Sequence, residues 1–158
     1  MKQGIEMNQT RETRLPLLTT LTGATLLGVA GLHAYWGRGG VWPGHDTVSL
    51  GRKVFPNPPR HLPSPAACFA VTGALTFTTV ALVTAHRPGP WQPLSQRICQ
   101  LAGATLLARG GLGFTLPALT QANPEFRRLN TAIYSPLCLA LGSALLASRN
   151  PCRGASPR

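Results

Sequence analysis

An arginine set in the middle of an apolar run is the residue of this chain with the clearest chemical potential. The stretch "TLLARGGLGF", residues 105–114, places Arg109 in otherwise uncharged sequence and follows it with Gly110, Gly111 and Gly113. A guanidinium stays charged at any physiological pH. At the centre of a bilayer helix, facing lipid, it costs at least ~2.5 kcal/mol. It should therefore face the interior of a helix bundle or a wet cavity. Three arrangements answer that cost. Arg109 can line a cavity that takes an anion or a lipid headgroup, the glycines letting a ligand or a neighbouring backbone come close. It can act as a polar staple, bonding to carbonyls freed near Pro117 or Pro136 or to a buried tyrosine. It can also snorkel along lipid to the interface.

Other chemistry finds little footing. No GxxxxGK[ST], HExxH or GxSxG pattern occurs. Only four acids are present, Glu6, Glu12, Asp46 and Glu125, which disfavours paired-carboxylate catalysis. Cys68, Cys99, Cys138 and Cys152 form no CxxC pair, and the first three lie in or beside apolar runs, where cysteine acts as a small hydrophobe. A metal or haem site would need a second histidine facing His33, whereas His45, His61 and His86 fall in loops or at a boundary. No catalytic residue, metal or cofactor is assigned on this basis. The net charge of +11 comes from bases spread thinly between apolar runs, without the aromatic-interleaved patch that nucleic-acid binding requires.

The elements that must position these residues are four apolar runs. They lie at about 15–37, 64–85, 98–119 and 131–148. A membrane-spanning helix needs roughly 20 apolar residues. Soluble helices carry a charged face, and these runs have none. Charged residues make up 12% of the chain, against roughly 25% in ordinary soluble domains. The expectation is an all-α fold, an integral membrane four-helix bundle with up-and-down topology, spanning residues 15–148. Residues 1–14 read as an N-terminal tail and 149–158 as a disordered C-terminal tail. Small residues recur four apart in every run: Ala24 and Gly28, Ala70 and Ala74, Ala104 and Ala108, Ala140 and Ala144. Such pairs let helix backbones approach closely in lipid. The Gly- and Pro-rich connection over 38–63 has room to fold back over one end.

With four spans both termini share a side. That side holds eight bases (Lys2, Arg11, Arg14, Arg87, Arg97, Arg149, Arg153, Arg158), against six in the other loops. The positive-inside rule thus places both termini in the cytoplasm. His33 falls one turn from the end of the first run, Arg109 near the middle of the third and Tyr134 one turn from the start of the fourth. All three lie towards the face that carries the 38–63 connection, within reach of Asp46 or Glu125. His33, followed by Tyr35 and Trp36, also fits the aromatic belt at a membrane interface.

Two stretches carry a family resemblance. "GLHAYWGRGGVWPG" ends the first run and "FRRLNTAIYSPLCLALG" enters the last. With the arginine of the third run, they resemble bacterial membrane proteins grouped as domain of unknown function 3995. The first pattern falls on His33, Tyr35, Trp36, Gly39, Gly40 and Trp42, the second on Tyr134, Ser135, Pro136, Leu137, Cys138 and Leu139. The resemblance implies four spans and no particular activity. It also implies an acid soon after the third-run arginine, which "RGGLGF" lacks.

The expected site is one cluster of His33, Trp36, Gly39, Gly40, Trp42, Arg109 and Tyr134 under the first loop. Gly37 is expected to give the left-handed cap that ends the first helix, and Gly39 and Gly40 a tight reversal. The leading functional expectation is a non-catalytic binding or accessory module of the bacterial cytoplasmic membrane. Its partners would be the lipid bilayer and a membrane protein or further copies of itself, with no nucleic acid. The alternatives are a membrane enzyme acting on a lipid or quinone-like substrate, with His33 as acid/base and Arg109 as anion clamp, or a small oligomeric transporter.

Overall fold

The computed structural model describes residues 2–59, 61–119 and 122–148. The expected disordered tail, 149–158, lies outside the described residues. No strand occurs among those described. Six helices follow in order: α1 Lys2–Gly37, α2 Thr47–Val54, α3 Pro65–Ala85, α4 Gln92–Leu119, α5 Pro124–Leu129 and α6 Ser135–Ala147. A π-helical turn, Asn130–Tyr134, joins α5 to α6 and makes one continuous helical stretch of them. The first helix starts at Lys2, so residues expected as a tail extend it.

Three stretches are long and apolar enough to cross a membrane: Leu17–Gly37, Pro65–Ala85 and Pro124–Ala147. They point to a membrane protein. The helix of the third run, α4, is 28 residues long and is not among the three. Arg109 and the glycines around it lower its mean hydropathy.

Capping chemistry sets several boundaries. Ser64 accepts from the Ala67 amide at 3.3 Å and Pro65 takes the first turn, where a missing N–H costs nothing. Asn123 accepts from the Phe126 amide at 3.0 Å, with Pro124 next in the first turn. The last helix therefore starts at Pro124, and most of the stretch between the third and fourth apolar runs is helical. Within the 38–63 connection, Asp46 and Ser49 form a reciprocal capping box that starts α2. Arg52 and Lys53 in its last turn complement the helix dipole. The π turn has a local cause. Pro136 has no N–H, and its ring would collide with the carbonyl four residues back in a regular helix. The chain widens by one residue just before it, and the Ser135 amide bonds to the Asn130 carbonyl.

The long helices pack in chain order: α1 on α3, α3 on α4 and α4 on α6, with α1 returning against α6. The core comprises Leu26, Ala81, Leu82, Ala85, Cys99, Leu141 and Leu145. Most of these lie in the half of the helices away from the 38–63 connection.

Close approach between helices uses glycines other than the expected small pairs. Of those eight residues only Ala144 is partly buried, and the other seven are exposed. At the α4–α6 crossing, a Cβ on Gly103 would sit 3.0 Å from the Gly142 carbonyl oxygen, and one on Gly142 2.8 Å from that of Gly103. Each backbone fills the space of the other's missing side chain. Gly142→Leu should thus destabilise the protein by about 1–3 kcal/mol, as overpacking does. Ala140→Leu, on the exposed side of the same helix, should leave stability unchanged. Thermal unfolding of the purified variants in detergent checks both.

The Asp46 cap carries a pH dependence. The Ser49 amide and hydroxyl hold its carboxyl below the ordinary value of 3.8. A carboxyl with a depressed folded pKa stabilises above its unfolded value and stops doing so as pH falls through the folded one. Exchange protection of the Ser49 amide should persist down to about pH 3.8 and be lost on further acidification. Asp46→Ala should remove it already at neutral pH.

Candidate functional site

The expected cluster divides into three neighbourhoods. Arg109 occupies one by itself. Its Nη2 donates to Asn130 Oδ1 at 3.0 Å. The Asn130 side chain is fully buried, and its Nδ2 donates in turn to the Gly113 carbonyl. Arg109 therefore links α4 to the π turn through an amide that is itself anchored to α4. The partner is neither a carbonyl freed near a proline nor a tyrosine. Asp46 is engaged in capping α2, and Glu125 lies 3.8 Å from Lys53 Nζ. Arg109 as a whole is exposed on α4 rather than enclosed, with its guanidinium turned over Gly113. A side chain on Gly113 would overlap the Ser135 hydroxyl and sit 2.8 Å from Arg109 Nη1. The Ser135 hydroxyl is buried there without a hydrogen-bond partner. Gly110 makes room for Ser135 and Leu139 of the facing helix, while Gly111 meets nothing within 4 Å.

His33 and Trp36 form the second neighbourhood. Their rings meet edge to face, with centroids 5.0 Å apart. Both line an open cavity of about 330 Å³ bordered by α1, α2, the segment after α2 and the start of α3. Its walls include Leu50, Phe55, Cys68 and Val71. His33 Nδ1 lies 2.9 Å from the Val29 carbonyl oxygen, which can only accept, so this nitrogen carries the proton.

The third neighbourhood gathers Trp36, Trp42 and Tyr134 around a cavity of about 590 Å³ between the end of α1 and the start of the last helix. Leu32, Leu129 and Ile133 give it apolar walls, and Lys53, Glu125 and Arg128 give it charge. Trp36 Nε1 donates to the Trp42 carbonyl at 2.7 Å, fixing the reversal after α1 against the helix it leaves. That reversal differs from expectation in its cap. Gly37 stays helical and packs against Phe69 and Cys68, while Gly39 takes the left-handed conformation at φ 88°. A side chain on Gly40 would overlap the Tyr35 ring. Arg109 lines neither cavity.

Three residues outside the expected cluster hold this end together. Asn123 Nδ2 donates to the carbonyls of Phe55 and Pro56 at 2.9 and 3.0 Å, pinning the long connection to the start of the last helix. Lys53 Nζ donates to the Pro43 carbonyl at 2.8 Å, tying α2 to the reversal. Asn130 completes the set. The dipeptide Asn123–Pro124 carries a recognisable helix-start signature. For Asn130 the only signal is a lone amide ahead of an apolar helix.

Helices of membrane length, covered at one end by a connection with its own short helix, mark the class as helical membrane proteins. Residues 26–145 match the model of the family described as "Protein of unknown function (DUF3995)", and the chain belongs to that family. The match takes in all seven residues of the expected cluster. No curated protein and no solved structure matches the chain.

The Arg109–Asn130 bond sets a measurable coupling. Arg109→Leu leaves Asn130 Oδ1 buried without a donor and should cost about 1–3 kcal/mol. Asn130→Leu strips the guanidinium of its acceptor. The double variant should be more stable than the sum of the two by at least about 0.5 kcal/mol, as for residues in direct contact. Unfolding of the four proteins in one detergent measures it.

Proposed function

We propose that this chain is a four-span protein of the bacterial cytoplasmic membrane, termini inside, that binds an amphiphile with an anionic head as a non-catalytic module. The fourth span in this reading is α4, which packs between α3 and α6. Exposed Trp42 and Trp91, at opposite ends of the helices, fit the two aromatic belts of a membrane protein. The excess of bases on the terminal side supports the orientation.

The observation that carries the binding role is the 590 Å³ cavity with its division of chemistry. Aliphatic residues and three aromatic rings offer an apolar bed; Glu125, 3.8 Å from Lys53, offsets that ammonium, and Arg128 leaves the lining with a net positive charge. That combination suits a lipid headgroup with its first chain carbons. Arg109 acts as a staple in this reading, because it is engaged with Asn130 away from the cavity. The enzyme alternative required His33 and Arg109 to act together, and they sit in separate neighbourhoods.

Thermal unfolding with added lipid tests the role. A ligand at ~100 times its Kd stabilises by about 2.7 kcal/mol, or about 5 °C or more for a chain of this length. Phosphatidylglycerol should raise Tm by that amount and phosphatidylcholine by much less. Arg128→Gln should abolish the difference without lowering the basal Tm. Arg109→Leu should lower the basal Tm and keep the lipid response. Equal responses to both lipids in the wild type would sink the proposal.

A further inference from the structure

The 330 Å³ cavity beside His33 has a chemistry of its own. No ionisable carboxylate, ammonium or guanidinium lines it. Its walls are hydrocarbon side chains apart from His33, Trp36 and the weakly polar thiol of Cys68. An ionised head would lose part of its water there and meet no counter-charge, which disfavours phosphates and carboxylates.

The hydrogen-bond inventory narrows the ligand further. The Trp36 indole N–H is already given to the Trp42 carbonyl. The His33 Nδ1 proton is given to the Val29 carbonyl. The Phe55 carbonyl accepts from Asn123. In the neutral imidazole that tautomer leaves Nε2 with a bare lone pair. The cavity thus offers one strong acceptor and no strong free donor among its side chains. A matching head must donate, as an alcohol or phenol does. A ketone or an ether, which only accepts, finds no free strong side-chain donor there. The volume is near the lower end for small-molecule pockets, enough for a ring-sized head rather than a whole lipid.

We propose that this cavity is a binding site for a neutral, hydroxyl-headed apolar molecule whose O–H donates to His33 Nε2. Trp36 forms a wall of this site and of the larger cavity, but the proposal does not rest on the anionic-lipid reading. The two sites need opposite head chemistry and separate residues, so each can fail without the other.

The probes are 4-hexylphenol and its methyl ether 4-hexylanisole, which have nearly the same shape and differ in the donor. Binding to the full-length protein in detergent is followed by thermal shift over a concentration series. The phenol should bind at least about tenfold more tightly than the ether, the scale of one hydrogen bond. His33→Phe keeps a ring and removes the acceptor, and should bring the two probes to equal affinity. Val71→Phe, which fills the cavity, should weaken both. Arg128→Gln should change neither. Equal affinity for phenol and ether in the wild type would overturn the proposal, and so would absence of phenol binding up to its solubility limit. If His33→Phe does not fold, the wild-type comparison and Val71→Phe still decide.

Discussion

A fully buried asparagine has to satisfy both ends of its amide, and in this protein that requirement fixes how two helices meet. Asn130 takes the Arg109 guanidinium at its oxygen and gives its nitrogen to the Gly113 carbonyl. Both partners belong to α4, so the amide reads the position of that helix along its axis. The seam that follows obeys the same register. Gly113 meets Ser135, Gly110 meets Ser135 and Leu139, and Gly103 meets Gly142. These positions fall on one face of each helix, with glycine wherever a side chain would drive the helices apart. A shift by one residue would unpair the amide and bring side chains into the crossing at once. The arginine that looked like a cost to an apolar helix is one of the groups that makes the register unique.

Much of this frame was legible in the sequence, and its gaps have physical causes. Long uncharged runs announce helices because lipid tolerates no open backbone polar groups. The second run was expected to begin at residue 64, and Ser64 caps its helix there; the short helix that Asp46 caps inside the connection was not expected. Faces were not legible. Helices apolar on every side have little 3.6-residue contrast to show which side packs. The alanine pairs at 104/108 and 140/144 therefore drew attention, although Gly103 and Gly142 make the closest backbone approach. The partner of Arg109 was hidden for another reason. "NPEFRRLN" reads as a polar loop by composition, yet Asn123 and Pro124 start a helix there and carry Asn130 into the buried turn. Sequence proximity to one membrane face also suggested a single cluster. It could not separate a guanidinium turned over Gly113 from an imidazole that opens towards α2.

The long connection is held by few bonds, and each joins it to a different element. Asn123 fastens Phe55 and Pro56 to the last helix, Lys53 fastens α2 to the reversal at Pro43, and Trp36 fastens that reversal to α1. Trp36 therefore has two roles. Its indole N–H anchors the turn, and its side chain lines both cavities. A ligand touching Trp36 in either cavity would act on the same anchored turn.

The two ends of the molecule differ because their materials differ. Away from the connection, Leu26, Leu82, Ala85, Cys99 and Leu145 interdigitate between regular helices and leave little space. Helical ridges fit helical grooves, so such a core can approach crystal-like density. At the other end the cover is an eight-residue helix and a run of prolines. Prolines fix the chain in extended shapes that have no ridge to fit a helical groove. Hydrogen bonds from Asn123 and Lys53 hold this cover at a set height above the helices, and packing does not draw it further in. Space under such a cover is a consequence of how it is built. What distinguishes the two spaces from mere voids is their chemistry, with one lined by two bases and an acid and the other by hydrocarbon with one free side-chain acceptor.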